Sequence, residues 1–266
     1  MQYNALEVIS MYAFMSNLLG DIKDGYIFTL FDLWHIGYVV LFVGVAVFFS
    51  LYLRSADSQR RSGVIEAVGN LAFGLYVADF FLMPFAYGEI HIEKLPFHVC
   101  TAMCVLCFLS RRVGFLKKFK LQITMMGFIS NLCFLLVPAG VMWAEVHPLC
   151  YRAVQTLTFH GVMVVYGFLV LLYERQEFSW KKLYKDLLLA AFMALWALLG
   201  NTLYNHDGAF YNWFFVVRDP FFVIPENISR WIMPFLNIAF FMTAYLILYS
   251  LFWKFSQKKA IPQNTA

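Results

Sequence analysis

The sequence predicts an all-α integral membrane protein. It has seven transmembrane helices, the amino terminus outside and the carboxyl terminus in the cytoplasm, with an N-terminal interfacial helix ahead of the first span. Three observations predict it. Of the 266 residues, 62% are hydrophobic and 14% are charged, where soluble domains average about 45–50% and about 25%. A chain of this size cannot bury that much apolar surface. Second, the apolar residues gather in seven stretches, at residues 33–53, 64–85, 95–110, 121–143, 153–173, 187–203 and 231–252; a spanning helix needs about 20 residues. Third, the basic residues alternate. With the amino terminus outside, fifteen of the twenty Lys and Arg residues fall on inner segments and five on outer ones, as the positive-inside rule requires. A soluble enzyme, a nucleic-acid-binding domain and a disordered chain are excluded. Residues 1–266 read as one membrane domain, with the bundle over 33–252 and a polar tail over 256–266.

Residues 1–25 lack the basic start and cleavage site of a signal peptide. Leu6, Ile9, Phe14 and Leu18 recur at roughly helical spacing, which predicts an interfacial helix on the outer face. The third apolar stretch is the shortest. Its roughly 16 residues cover roughly 24 Å, less than the roughly 30 Å hydrocarbon core, so it is snorkelling, tucked or re-entrant. Pro138, Pro148, Pro220 and Pro225 fall in or beside outer loops, where helices end. Asp207-Gly208 marks a turn, and Asn227-Ile228-Ser229 is an outer-side glycosylation sequon.

The polar chemistry collects on the outer half. His35, His91, His98, His147, His160 and His206 all fall there, with Asp79, Asn131, Asn201, Asn205 and Asn237. Polar groups in a bilayer face the bundle interior or a wet cavity, so an outward-opening polar pocket is expected. The plainer alternative is that helix ends are wetter.

Cys100 is the candidate nucleophile. In Leu95-Pro96-Phe97-His98-Val99-Cys100, Pro96 suits a first helical turn. Cys100 then lies near the positive end of the helix dipole, which favours a thiolate modestly. His98 is two residues away and points elsewhere. His160, from another span at compatible depth, is the candidate base. Cys100, Cys104 and Cys107 also form one helix face, which fits small-residue packing equally well. Cys150 could pair with Cys100 in an oxidising compartment. Histidines with Asp79, Glu89 and Glu93 could ligate zinc, but no HExxH or HxxH pair is present; no metal and no cofactor are expected. Asn212, set among aromatics, reads either as a pocket wall or as part of an interfacial aromatic belt.

The Leu-Pro-Phe-His-Val-Cys stretch, a histidine sixty residues later, and the Asn-aromatic segment ending in Asp219-Pro220 resemble the YwaF-type bacterial membrane proteins. Their animal relative is the transmembrane protein 164 acyltransferase. The resemblance runs from about residue 31 to 252. Phe97 and Val99 stand where the family pattern has leucines, and the segment after Asn212 departs from it further. The resemblance implies cysteine-dependent transfer of phospholipid acyl chains, with Cys100 and His160 as the reactive pair.

The expected function is therefore a membrane-embedded acyltransferase or acyl hydrolase acting on membrane lipids, with no nucleic-acid partner. The expected location is the bacterial plasma membrane, with the site toward the outer half. His98, Asn131, Asn201 and Asn212 are the candidate substrate or oxyanion contacts, and Asp79 or His35 the candidate orienting group for His160. The alternative is a non-enzymatic lipid- or solute-binding protein or transporter with an outward-facing pocket.

Overall fold

The computed structural model describes residues 13–23, 25–89, 91–174, 179–206, 210–220 and 223–257, with side chains as far as 251. Among them all regular structure is helical. The principal helices are α1 (Leu33–Tyr52), α2 (Ser58–Tyr87), α3 (Val99–Ser110), α4 (Lys120–Leu136), α5 (Tyr151–Tyr173), α6 (Leu183–Tyr204) and α7 (Glu226–Gln257). Six helical stretches are long and apolar enough to cross a membrane: α1, α2, α5, Lys120–Met142, Trp180–Tyr204 and Glu226–Leu251. The exception, α3, has 12 residues and rises about 18 Å. Residues 13–19 are helical, with Phe14 and Leu18 exposed. The expected interfacial helix stops there, since residues 20–23 and 25 are not helical; residues 1–12, the Asp207-Gly208 turn and the tail beyond 257 lie outside the described residues.

Start signals are local. Asp32 caps α1, one carboxylate oxygen accepting from the His35 amide at 2.7 Å and the other from the Thr29 amide at 2.8 Å. Partial burial raises the Asp32 carboxyl, but these amide donors outweigh it and hold the group below its usual range. Asp57 caps α2 in the same way through the Arg60 amide. Gly88 ends α2 at φ 77°, a left-handed cap that suits a residue without Cβ.

Pro96 corrects an expectation. It precedes the helix, because α3 begins at Val99 with His98 as its cap. The Phe97 amide turns back to the Leu95 carbonyl at 2.7 Å, and the Pro96 carbonyl accepts from Trp196 Nε1 at 2.7 Å. Those bonds hold residues 95–97 out of helical geometry. Cys100 nevertheless stays in the first turn.

The chain packs as two compact units, Met1–Lys94 with Asn131–Tyr166, and Leu95–Ser130 with Gly167–Ala266. In the first unit, Gly161 on α5 faces the Phe42 ring so closely that a Cβ would overlap it. Ahead of α1, the Phe28 amide donates to the Val146 carbonyl at 3.0 Å, and the His147 amide to Ile22 at 2.7 Å. In the second unit, Phe97 stacks on Trp196 at 5.0 Å and meets Trp213 at 5.1 Å, over Gly200, where a Cβ would come within 2.5 Å of the Phe97 ring. Glu174 gathers Arg111 and Lys120 at one end of that unit.

Burial is inverted relative to a water-soluble protein. His35, Asp79, Gln122, Asn131, His160, Asp186 and Asn201 are buried, while Leu33, Phe48, Phe81, Leu195 and Phe235 are exposed. Lipid solvates apolar side chains and penalises polar ones, so this pattern marks a membrane-integral chain. Gly161→Ala should lower stability by about 1–3 kcal/mol by overpacking against Phe42. Adding Phe42→Leu should recover part of the loss in detergent melts; an unchanged midpoint for the single variant would refute the contact.

Candidate functional site

The first unit builds a held imidazole. His160 lies on α5 and is 6% exposed. Its Nδ1 is 2.7 Å from Asn131 Oδ1. The ring stacks on Phe134 at 3.7 Å and 15°, and meets the Phe159 edge at 5.0 Å. Asn131 and Phe134 are three residues apart on α4, hence on one face; one fixes the nitrogen and the other the ring plane. An amide oxygen only accepts, so Nδ1 carries the proton and Nε2 is the basic nitrogen.

This reassigns three side chains. Asn131, expected as a substrate or oxyanion contact, orients His160. Asp79 does not, because its carboxylate is taken by Lys94 Nζ at 3.0 Å and by the Tyr151 hydroxyl at 2.7 Å. Nor does His35, whose Nδ1 accepts from the Phe31 amide and whose Nε2 donates to the Leu135 carbonyl, both at 2.9 Å. His35 ties the start of α1 to the end of α4. A buried carboxylate takes a cation when one is in reach, and Lys94 supplies it.

A charged cleft adjoins Asp79, and sequence reasoning missed it. Asp79, Tyr87, His91, Lys94, Tyr151 and Arg152 help to line it. Arg152 pairs with Asp21 at 2.9 Å, and the Tyr87 hydroxyl donates to the same carboxylate at 3.2 Å. The sequence signal was slight: Lys94 and Arg152 counted only as outer-loop charges.

The second unit holds the thiol. Cys100 is the second residue of α3 and is 7% exposed. No disulfide involves any of the five cysteines. His98 caps α3 by position but makes no side-chain capping bond. Its ring meets Phe215 edge-on at 5.5 Å, and its buried Nδ1 has no hydrogen-bond partner.

Asn201 and Asn212, expected to contact substrate, hold backbone instead. Asn201 Oδ1 accepts from the Trp213 amide at 3.1 Å, and its Nδ2 donates to the Trp213 carbonyl at 3.3 Å. Asn212 Nδ2 donates to the Arg218 carbonyl at 2.7 Å, while its Oδ1 accepts from the Val217 and Arg218 amides at 3.1 Å. Asn237 donates to the Phe214 and Phe215 carbonyls at 2.8 and 3.2 Å. Between these amides Phe214 and Phe215 adopt φ values of 57° and 51°. Left-handed backbone at a residue with a Cβ costs roughly 1–2 kcal/mol, and the amides oppose that cost. The sequon's Ser229 is fully buried, its hydroxyl accepting from the Asp219 amide at 2.7 Å.

No protein-family model, curated protein or solved structure matches the chain. Cys100 belongs to the second unit and His160 to the first.

Asn201→Leu removes both of its bonds to Trp213, leaving the carbonyl the longer 3.4 Å bond from the Val216 amide, and should cost about 1–3 kcal/mol. Faster proteolysis between Tyr211 and Arg218 should accompany the lower melting midpoint. Wild-type stability and protection in this variant would return Asn201 to the substrate contacts.

Proposed function

We propose that the protein is a membrane-embedded, cysteine-dependent acyltransferase or acyl hydrolase acting on phospholipid acyl chains, with Cys100 as nucleophile and His160 as base. The observation that carries this reading is the prepared state of His160, whose Nδ1 is anchored by Asn131 at 2.7 Å so that the basic nitrogen is Nε2. Asn131 thereby takes the place of a third catalytic-site member. The position of Cys100 in the first turn of α3 supports it, since the positive helix end favours a thiolate. So does the resemblance of residues 95–100 to the YwaF-type pattern.

In this reading His160 Nε2 takes the Cys100 thiol proton, and the sulfur attacks an ester carbonyl. The ester C–O bond breaks, the imidazolium returns its proton to the leaving lysolipid hydroxyl, and a thioester remains on Cys100. A second hydroxyl, of a lysolipid or of water, attacks the thioester with His160 again as base. Lysolipid gives transfer and water gives hydrolysis. With Asn131, Asn201 and Asn212 engaged elsewhere, the oxyanion donors fall to His98 and to the first-turn amides of α3, one donor being worth about 2.7–4 kcal/mol. The topology proposed with this chemistry is seven crossings, amino terminus outside, with the short α3 completed by the non-helical residues 95–98. The location is the bacterial plasma membrane, and the site faces the outer half.

The charged cleft at Asp79 and Lys94 favours one second reading, a lipid- or solute-binding protein. Incubation with mixed phospholipids, followed by intact mass measurement, separates the two. An acyl adduct on Cys100 is expected, abolished by Cys100→Ala and formed at least about 100-fold more slowly in His160→Ala. Retained lipid with no adduct and no acyl exchange would falsify the enzyme reading.

A further inference from the structure

In the second unit, at the end bearing Lys118, Lys120, Lys181, Lys182 and Lys185, a polar group is sealed from solvent. Asp186, in the first turn of α6, is 0% exposed. Its Oδ2 accepts from the Tyr249 hydroxyl at 3.1 Å, while Oδ1 has no partner. Among the described residues no ion pair includes Asp186. The adjacent Lys185 is engaged elsewhere: its Nζ donates to the Lys118 carbonyl at 2.9 Å and lies over the Phe119 ring. From α7, Tyr245 sits one turn before Tyr249 and within electrostatic reach of Asp186, its buried hydroxyl also without a partner. From α4, Gln122 adjoins Tyr249, 1% exposed and with its amide nitrogen unpartnered. The groups facing Asp186 are thus two phenols, one amide and a lysine of its own helix that is bonded elsewhere.

An ionised carboxylate sealed from solvent with no ion-pair partner is costly. One added hydrogen cancels that charge on a carboxylate whose Oδ1 has no partner.

We propose that this cluster is a proton-binding site, in which Asp186 takes a proton on Oδ1 from the aqueous side that carries the lysines. The step forms one O–H bond with a proton from water and takes the side chain from −1 to neutral; release reverses it. Site occupancy ties the packing of α4, α6 and α7 to proton concentration on that side. It is independent of the Cys100 chemistry.

The test uses the full-length protein in detergent, in sodium and in potassium buffers, across about pH 5 to 9. Infrared spectra at neutral pH should show a protonated-carboxyl band that Asp186→Asn removes. The wild-type unfolding midpoint should fall as pH rises, because the folded form holds a proton that the unfolded chain, with an ordinary aspartate near 3.9, releases. Asp186→Asn, neutral at every pH, should lose that dependence and melt at or above wild type at alkaline pH. Absence of the band, or a midpoint raised by sodium and not by potassium, overturns the proposal in favour of an ionised or sodium-bound carboxylate. Should Asp186→Asn fail to fold, the wild-type band and its shift in Tyr249→Phe, which removes the bond to Oδ2, decide, and a missing or unmoved band counts against the site.

Discussion

Backbone that leaves helical geometry in an apolar layer must have its N–H and C=O groups satisfied by the protein itself. The segment around Trp213–Phe215 meets that constraint with asparagine. The amide side chain presents one acceptor and one donor group, so Asn201 closes on both polar groups of Trp213, and Asn212 closes its own loop onto residues 217 and 218. Asn237 reaches in from α7. The left-handed Phe214 and Phe215 persist because their neighbours are fixed from several sides. The Phe215 ring that this loop offers to His98 is thus carried on backbone bonded from both sides.

The same residue type does different work in the first unit. Asn131 spends its oxygen on an imidazole rather than on backbone. The contact sets the tautomer of His160, and Phe134 one turn on sets the ring plane. A histidine held at one nitrogen and one face has a defined direction for its remaining nitrogen, which a general base requires. Aromatic and amide neighbours can do this in lipid without importing a second charge.

Two buried aspartates mark the contrast in electrostatics. Asp79 has Lys94 and a tyrosine hydroxyl, so its charge is compensated where it stands. Asp186 has a tyrosine hydroxyl and, among the described residues, no ion pair. The two residue types are the same, and only the reach of a lysine differs: Lys94 turns inward, whereas Lys185 bonds to a carbonyl elsewhere.

The sequence by itself determined what depends on composition and short-range pattern. Membrane residence, the positions of the long helices and the brevity of the third were all legible, because apolar length and charge alternation are one-dimensional properties. It also singled out His160 and Cys100 as notable. Which group answers which was decided by tertiary structure. Asp79, His35, Asn131, Asn201 and Asn212 were legible as intramembrane or loop polar residues, yet their partners lie up to about a hundred positions away along the chain, as with His35 and Leu135. Hydrogen bonds act over about 3 Å, a distance that only packed helices define, so the roles of these side chains could not be read before the helices were assembled.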